Sequence, residues 1–239
     1  MSLERLDKVL ASTGRWSRRE VRNLIREGRV LVDGLLPAGA EEKVEPETAC
    51  ITVDGENLGY RRYTYILLNK PAGLLSATED TRQRTVLDLL PPEFRRIGLF
   101  PVGRLDKDTR GLLLLTNDGA LAHSLLSPKR HVDKVYEAWL SAPADAEDVA
   151  AFASGISLGD TRCLPAGLEI GTDPVHVFVT LHEGKFHQIK RMFISRGKTV
   201  LSLRRIAMGT LQLDTRLSEG EYRYLSEQEI AELNTIKQK

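Results

Sequence analysis

Residues 103–119 read Gly103-Arg104-Leu105-Asp106-Lys107-Asp108-Thr109-Arg110-Gly111-Leu112-Leu113-Leu114-Leu115-Thr116-Asn117-Asp118-Gly119. Short apolar runs bounded by glycine and acid have the pattern of buried strands. Ile97–Val102 before the charged segment and Leu112–Leu115 after it both fit, so the charged segment is expected as a loop held between two core strands. A carboxylate there is partly desolvated and ringed by Arg and Lys. In that setting it can be held ionised and aimed, as a nucleophile requires. The plainer alternative is an ordinary turn, because Asp bonds its own backbone readily there. Asp106-x-Asp108-x-x-Gly111 also has the opening of a calcium loop. Such a loop needs an oxygen ligand at its fifth position and Glu at its twelfth. Those positions hold Arg110 and Asn117, so calcium is rejected.

The 239 residues allow one large domain, or a small one and a larger one, and a composition of 41% hydrophobic and 28% charged residues is that of an ordinary globular chain. No apolar run reaches bilayer length and the N-terminus has no apolar signal core, so a cytoplasmic protein without membrane contact is expected. Cys50 and Cys163 are too few and too far apart for a disulfide framework or a zinc site. The net charge of +1 hides an uneven distribution. Residues 1–30 carry eight Arg and Lys against four acids, and residues 182–205 carry seven against one. Two basic zones in a near-neutral chain fit a polyanion footprint.

In chain order, Leu6, Val9 and Leu10 repeat at helical spacing. Ser17-Arg18-Arg19-Glu20 is a capping box that opens a helix with Val21, Leu24 and Ile25 on one face. Arg18, Arg22, Arg26 and Arg29 form a separate stripe, which is either a solvated face or a set of forks for phosphate. Arg29–Asp33 reads as a strand entering an Asp-Gly turn. A linker is expected near Gly59–Thr64, dividing residues 1–59 from 60–239. Tyr65–Asn69 is a strand ended by Pro71 and Gly73. Thr85–Leu90 suggests a short helix, and Asn117 or Asp118 caps another that runs to Leu126 and stops at Ser127-Pro128. Lys134–Leu140 and Val175–Leu181 read as strands, with a helix over Asp145–Ser154 between them. From Glu183 the chain turns into a helix, with Phe186, Ile189 and Phe193 on one face and His187, Lys190 and Arg191 on another. Thr199–Leu213 adds one or two strands, and Ser226-Glu227-Gln228-Glu229 opens the last helix. Without a regular βαβ rhythm, the expectation is α+β with a mainly antiparallel sheet.

Arg5-Leu6-Asp7-Lys8-Val9-Leu10, Ser17–Glu20 and Ile25-Arg26-Glu27-Gly28-Arg29-Val30-x-Val32-Asp33-Gly34 together resemble an S4 domain, a small RNA-binding module. The resemblance implies that the face carrying Arg18, Arg19, Arg22, Arg26 and Arg29 meets RNA. Further on, Leu68-Asn69-Lys70-Pro71-x-Gly73, Gly103-Arg104-Leu105-Asp106-x-Asp108-Thr109-x-Gly111, Lys134-x-Tyr136 and Glu183-Gly184-Lys185-x-His187-Gln188-x-Lys190-Arg191-Met192 resemble the pseudouridine synthases. The closest branch is the one with an N-terminal S4 domain that modifies ribosomal RNA. Ser127-Pro128-Lys129-Arg130-His131 and His187–Phe193 look nearest to its small-subunit (16S) rRNA members, with 23S rRNA as the alternative substrate.

The resemblance implies a small S4 domain followed by a larger catalytic domain, in which helices flank a mixed sheet around a central cleft. It implies isomerisation of uridine to pseudouridine without cofactor or metal, on ribosomal RNA or a pre-ribosomal small-subunit particle, by a monomer. Asp106 would be the essential carboxylate, either attacking C1′ or removing a ribose proton. Lys190 or Arg191 would be its basic partner, and Tyr136 would lie against the flipped uracil. Arg104, Lys134, His187 and Arg191 are expected as RNA contacts, with Arg104 alternatively holding its own loop. Asp108, Thr109 and Gly111 are expected to shape that loop. Two rival readings are a non-catalytic RNA-binding factor and a hydrolase using Asp106 and Asp108 as a pair.

Overall fold

The computed structural model describes residues 3–127 and 130–238. Pro128 and Lys129, from the stretch singled out above, lie outside the described residues. The chain divides into two compact units, Met1–Thr64 with Leu90–Leu99, and Tyr65–Leu89 with Phe100–Lys239.

The first unit contains β1 (Glu4–Arg5), α1 (Leu6–Ala11), α2 (Arg18–Arg26), β2 (Val30–Val32), β3 (Lys43–Val44), β4 (Ile51–Val53) and β5 (Glu56–Asn57). Strand β1 pairs with β3, and β2, β4 and β5 form a three-stranded antiparallel sheet. The apolar positions spaced along α1 and α2 make the core: Leu6, Val9, Leu10, Val21 and Leu24 pack with Val30, Ile51 and Val53. Both halves of the expected capping box are made. The Ser17 hydroxyl accepts from the Glu20 amide at 3.3 Å, and the Glu20 carboxylate accepts from the Ser17 amide at 2.6 Å. Helix α3 (Pro92–Arg96) belongs here too, and Arg96 donates to the Gly14 carbonyl at 3.1 Å.

The second unit contains β6 (Tyr65–Lys70), β7 (Phe100–Pro101), β8 (Arg110–Thr116), α4 (Gly119–Leu126), β9 (Lys134–Leu140), α5 (Ala146–Ser154), β10 (Ser157–Leu158), β11 (Thr161–Arg162), β12 (Gly167–Ile170), β13 (His176–Leu181), α6 (Gln188–Ser195), β14 (Val200–Met208), β15 (Leu211–Gln212), β16 (Tyr222–Tyr224) and α7 (Glu227–Gln238). Its nine-stranded sheet runs β12-β13-β9-β14-β8-β6-β16, with β15 on β14 and β7 on β8. Among the described residues, β14 against β8 is the parallel pair and the other neighbours are antiparallel. The continuous apolar runs Ile66–Leu68 and Leu112–Leu115 are fully buried, as expected of strands covered on both faces.

Two expectations are only partly met. Ile97–Val102 contributes just the two residues of β7, because Gly98 turns the chain out of α3 and Pro101 has no amide to extend the ladder. Thr85–Leu90 forms a 3₁₀ turn at Val86–Leu89 rather than an α-helix, since Pro91 and Pro92 leave room for a single turn.

Candidate active site

The loop between β7 and β8 is held by the segment that follows β6. Lys70 closes that strand, and its side chain is fully buried beneath the loop. Its ammonium donates to the carbonyls of Thr109 at 2.9 Å, Pro71 at 3.0 Å, and Asp106 and Lys107 at 3.3 Å. Burial pulls the Lys70 pKa down to about 8, and nearby Asp108 and Asp106 limit the fall. Gly73 donates its amide to the Lys107 carbonyl at 2.7 Å. Ser76 bonds both backbone groups of Leu105, donating to the carbonyl at 2.9 Å and accepting from the amide at 3.1 Å. The loop closes on itself through the Thr109 amide and the Asp106 carbonyl at 3.1 Å. Gly111 starts the core run with φ +98°, where a Cβ would collide with the Arg205 carbonyl of β14. The backbone around Asp106 is therefore pinned from below and from the side.

The Asp106 carboxylate, 28% exposed, faces an open cleft. Lys190 of α6 reaches it, with Nζ 3.4 Å from Oδ2. Lys190 also bonds Asp108 at 2.5 Å, and that bond holds the Asp108 carboxyl below the usual range. One ammonium thus bridges both acids of the loop. His187 approaches from the same side, with Nε2 3.7 Å from Asp106 Oδ1. The cleft floor is the sheet itself. Tyr136 of β9 and Leu203 of β14 line it beside Leu181 of β13. The register opposes Tyr136 to Val179 and Arg205, and directly opposed residues share a face.

The structure brings Asp106, Tyr136, Lys190, Arg104 and His187 to this one cleft. Arg191 departs from it. Its guanidinium donates to the Leu158 carbonyl at 3.2 Å, so of the two neighbouring bases only Lys190 meets Asp106. Lys134, expected as an RNA contact, is buried in the sheet. It is 8% exposed, its ammonium donates inward to the Val132 carbonyl at 3.1 Å, and burial followed by the nearby Arg205 charge lowers its pKa. Alternation along β9 puts Lys134 on the same face as Tyr136, two residues from the cleft floor. Phe186 is a correction. The helix starts only at Gln188, with His187 left-handed at its cap (φ +49°), so Ile189 and Phe193 are buried while Phe186 is exposed.

In the first unit Arg18, Arg19, Arg22, Arg26 and Arg29 are all exposed. Arg22 lies 3.8 Å from buried Asp7, and the fork of Arg29 is already filled by Asp54, with both bonds at 2.7 Å. Sequence reasoning missed the role of Lys70. The available signal was a lone lysine ending an otherwise apolar strand just before proline. Among the described residues, no group of three or more His, Cys, Asp or Glu side chains is placed to hold a metal ion.

The chain matches the RNA pseudouridylate synthase family model over residues 64–195 and the S4 domain model over residues 4–35. It is 48% identical over 234 residues to the uncharacterised RNA pseudouridine synthase YtzG of Bacillus subtilis, covering 96% of this chain and 98% of that one. It is 40% identical over 231 residues to the ribosomal small subunit pseudouridine synthase A of Vibrio cholerae, covering 96% and 99%. The Escherichia coli protein of the same name is 40% identical over 232 residues, covering 95% and 98%. A crystal structure of a pseudouridylate synthase superposes with a TM-score of 0.67 at 36% identity, covering 96% of this chain and 99% of that one. With a family model spanning more than half the chain and relatives aligned end to end, the chain belongs to the RNA pseudouridylate synthases and carries an S4 domain at its N-terminus.

Proposed function

We propose that this synthase isomerises one uridine of 16S rRNA, acting in the cytoplasm as a monomer on the RNA or on a pre-ribosomal small-subunit particle. Residues 1–59 grip the RNA and residues 60–239 carry out the chemistry. The observation that carries this reading is the placement of Asp106, a carboxylate on a pinned loop at a cleft, with Lys190 at 3.4 Å and an aromatic floor. The choice of 16S rRNA rests on the small-subunit enzymes to which the chain is similar over nearly its full length.

The reaction breaks N1–C1′, forms C5–C1′ and moves the C5 hydrogen off the ring while N1 gains one. Atoms and electrons balance without an external donor. The target base leaves its stack at a cost of about a few kcal/mol. Asp106 acts on the ribose, either at C1′ as a nucleophile or on a ribose proton. Lys190 offsets its charge, and Tyr136 packs against the uracil and assists loss of the C5 proton. The exposed arginines of α2 supply phosphate contacts.

The test is to map pseudouridines in rRNA from cells with and without this protein. One site lost from 16S rRNA is the expected result. A site lost from 23S rRNA moves the substrate to the other subunit, and an unchanged map refutes rRNA as the substrate.

A further inference from the structure

We propose that Phe186 and His187 form a nucleobase-stacking subsite at the mouth of the cleft, which takes the base next to the flipped uridine. The proposal rests on the placement of that uridine against Asp106.

Phe186 is 71% exposed, an unusual position for a phenyl ring. A single exposed apolar side chain needs no explanation by itself. This one lies flat against the His187 ring, with centroids 3.9 Å apart and planes 16° apart. His187 in turn lines the cleft and reaches within 3.7 Å of Asp106. The two rings therefore form a short stack that starts beside the carboxylate and ends in solvent. The backbone commits to this arrangement. His187 takes a left-handed conformation that L-residues rarely adopt. That kink keeps Phe186 off the buried face of α6, where Ile189 and Phe193 sit.

An RNA substrate supplies the missing partner. Turning a uridine out of its strand unstacks its neighbour, and an aromatic face restores that stacking regardless of which base is present. Lys185, next in the chain, bonds the Arg162 carbonyl at 2.6 Å and Glu183 at 3.0 Å, so its charge is engaged within the protein. The subsite consequently offers a π face rather than a cation.

Three variants separate stacking from packing. Phe186→Leu keeps bulk and apolarity but has no ring, Phe186→Tyr keeps the ring, and Phe186→Ala removes both. The probe is single-stranded oligouridylate, whose binding does not depend on which rRNA uridine is modified. Phe186→Leu and Phe186→Ala are expected to bind it about tenfold more weakly, with Phe186→Tyr close to the parent, because one base on one aromatic ring contributes on that order. The salt dependence should not change, since no phosphate contact is removed. Parent-like binding by Phe186→Leu would show that bulk alone matters and would overturn the subsite. A change in salt slope equal to one phosphate contact would overturn it as well. Turnover by the unsubstituted enzyme on rRNA from cells lacking the protein is followed in parallel. Its absence would refute the rRNA assignment and leave the oligouridylate result to decide the subsite.

Discussion

Replacing Lys70 by Met keeps the length of the side chain and removes its charge. The ammonium has three hydrogens for four carbonyls within 3.3 Å. Three hydrogen bonds from a charged donor contribute roughly 1.5–3 kcal/mol each, a gross loss of about 5–9 kcal/mol. Relief from burying the charge offsets part of this. The expected net loss is about 2 kcal/mol, or a fall in Tm of about 4–8 °C for a unit of this size. The effect on rate should be larger, because a carboxylate displaced by about 1 Å costs on the order of a hundredfold. Thermal unfolding and single-turnover pseudouridine formation read the two effects. Parent-like Tm and rate would refute the idea that the buried ammonium sets the loop.

The same residue makes a pH prediction. Above about pH 8 the native Lys70 becomes a neutral amine with two hydrogens, so the loop loosens and the rate falls. Between about 8 and 10.5 the unfolded chain holds that proton more readily than the native one. This group therefore makes unfolding harder as pH rises. A rate that falls while stability does not separates loosening of the loop from unfolding. The Met variant should lack this alkaline limb.

Other perturbations are simpler. Lys190→Ala should lower the rate at least about tenfold with little loss of RNA affinity; Asp108→Asn, whose acid is 73% exposed, should cost less than about fivefold. A pure affinity loss in Lys190→Ala would make that residue a phosphate contact. Asp148 is fully buried, and bonds from Lys198 at 2.7 Å and Arg196 at 2.9 Å outweigh burial and keep its pKa low. Asp148→Ala should destabilise by about 3 kcal/mol in denaturant titration by stranding two cations. In the parent, this contribution is present above the ordinary Asp value and is lost as pH falls through the lower native one. Replacing Arg18, Arg22 and Arg26 together by Ala should weaken RNA binding and reduce its salt slope by about 0.7–0.9 for each phosphate contact removed. Unchanged binding would make the stripe a solvated face.

Local signals carried far in this chain. The capping boxes at Ser17 and Ser226 form as read, and of the two candidates Asn117 and Asp118 it is Asp118 that caps its helix. Their residues need only three or four neighbours along the chain to satisfy a helix end. The buried strands were legible because burial on both faces leaves an unbroken apolar run. Placement across the chain was less legible. Lys134 has the right alternation for a strand, but alternation does not say which face is covered. Phe186 has helical spacing, but the helix begins two residues later, because His187 breaks it with a positive φ that no simple pattern announces. Lys70 and Asp106 are 36 positions apart, and only the antiparallel pairing of β6 with β8 brings the lysine under the loop.

The most direct test of the account uses rRNA labelled with tritium at uridine C5, from cells lacking the protein. Forming the C5–C1′ bond expels that hydrogen into water, so release counts turnovers. The unsubstituted enzyme should release one tritium per target site, while Asp106→Asn should release none and still bind the RNA and unfold at a similar temperature. Release by Asp106→Asn at the rate of the unsubstituted enzyme would contradict the central claim that this carboxylate performs the chemistry.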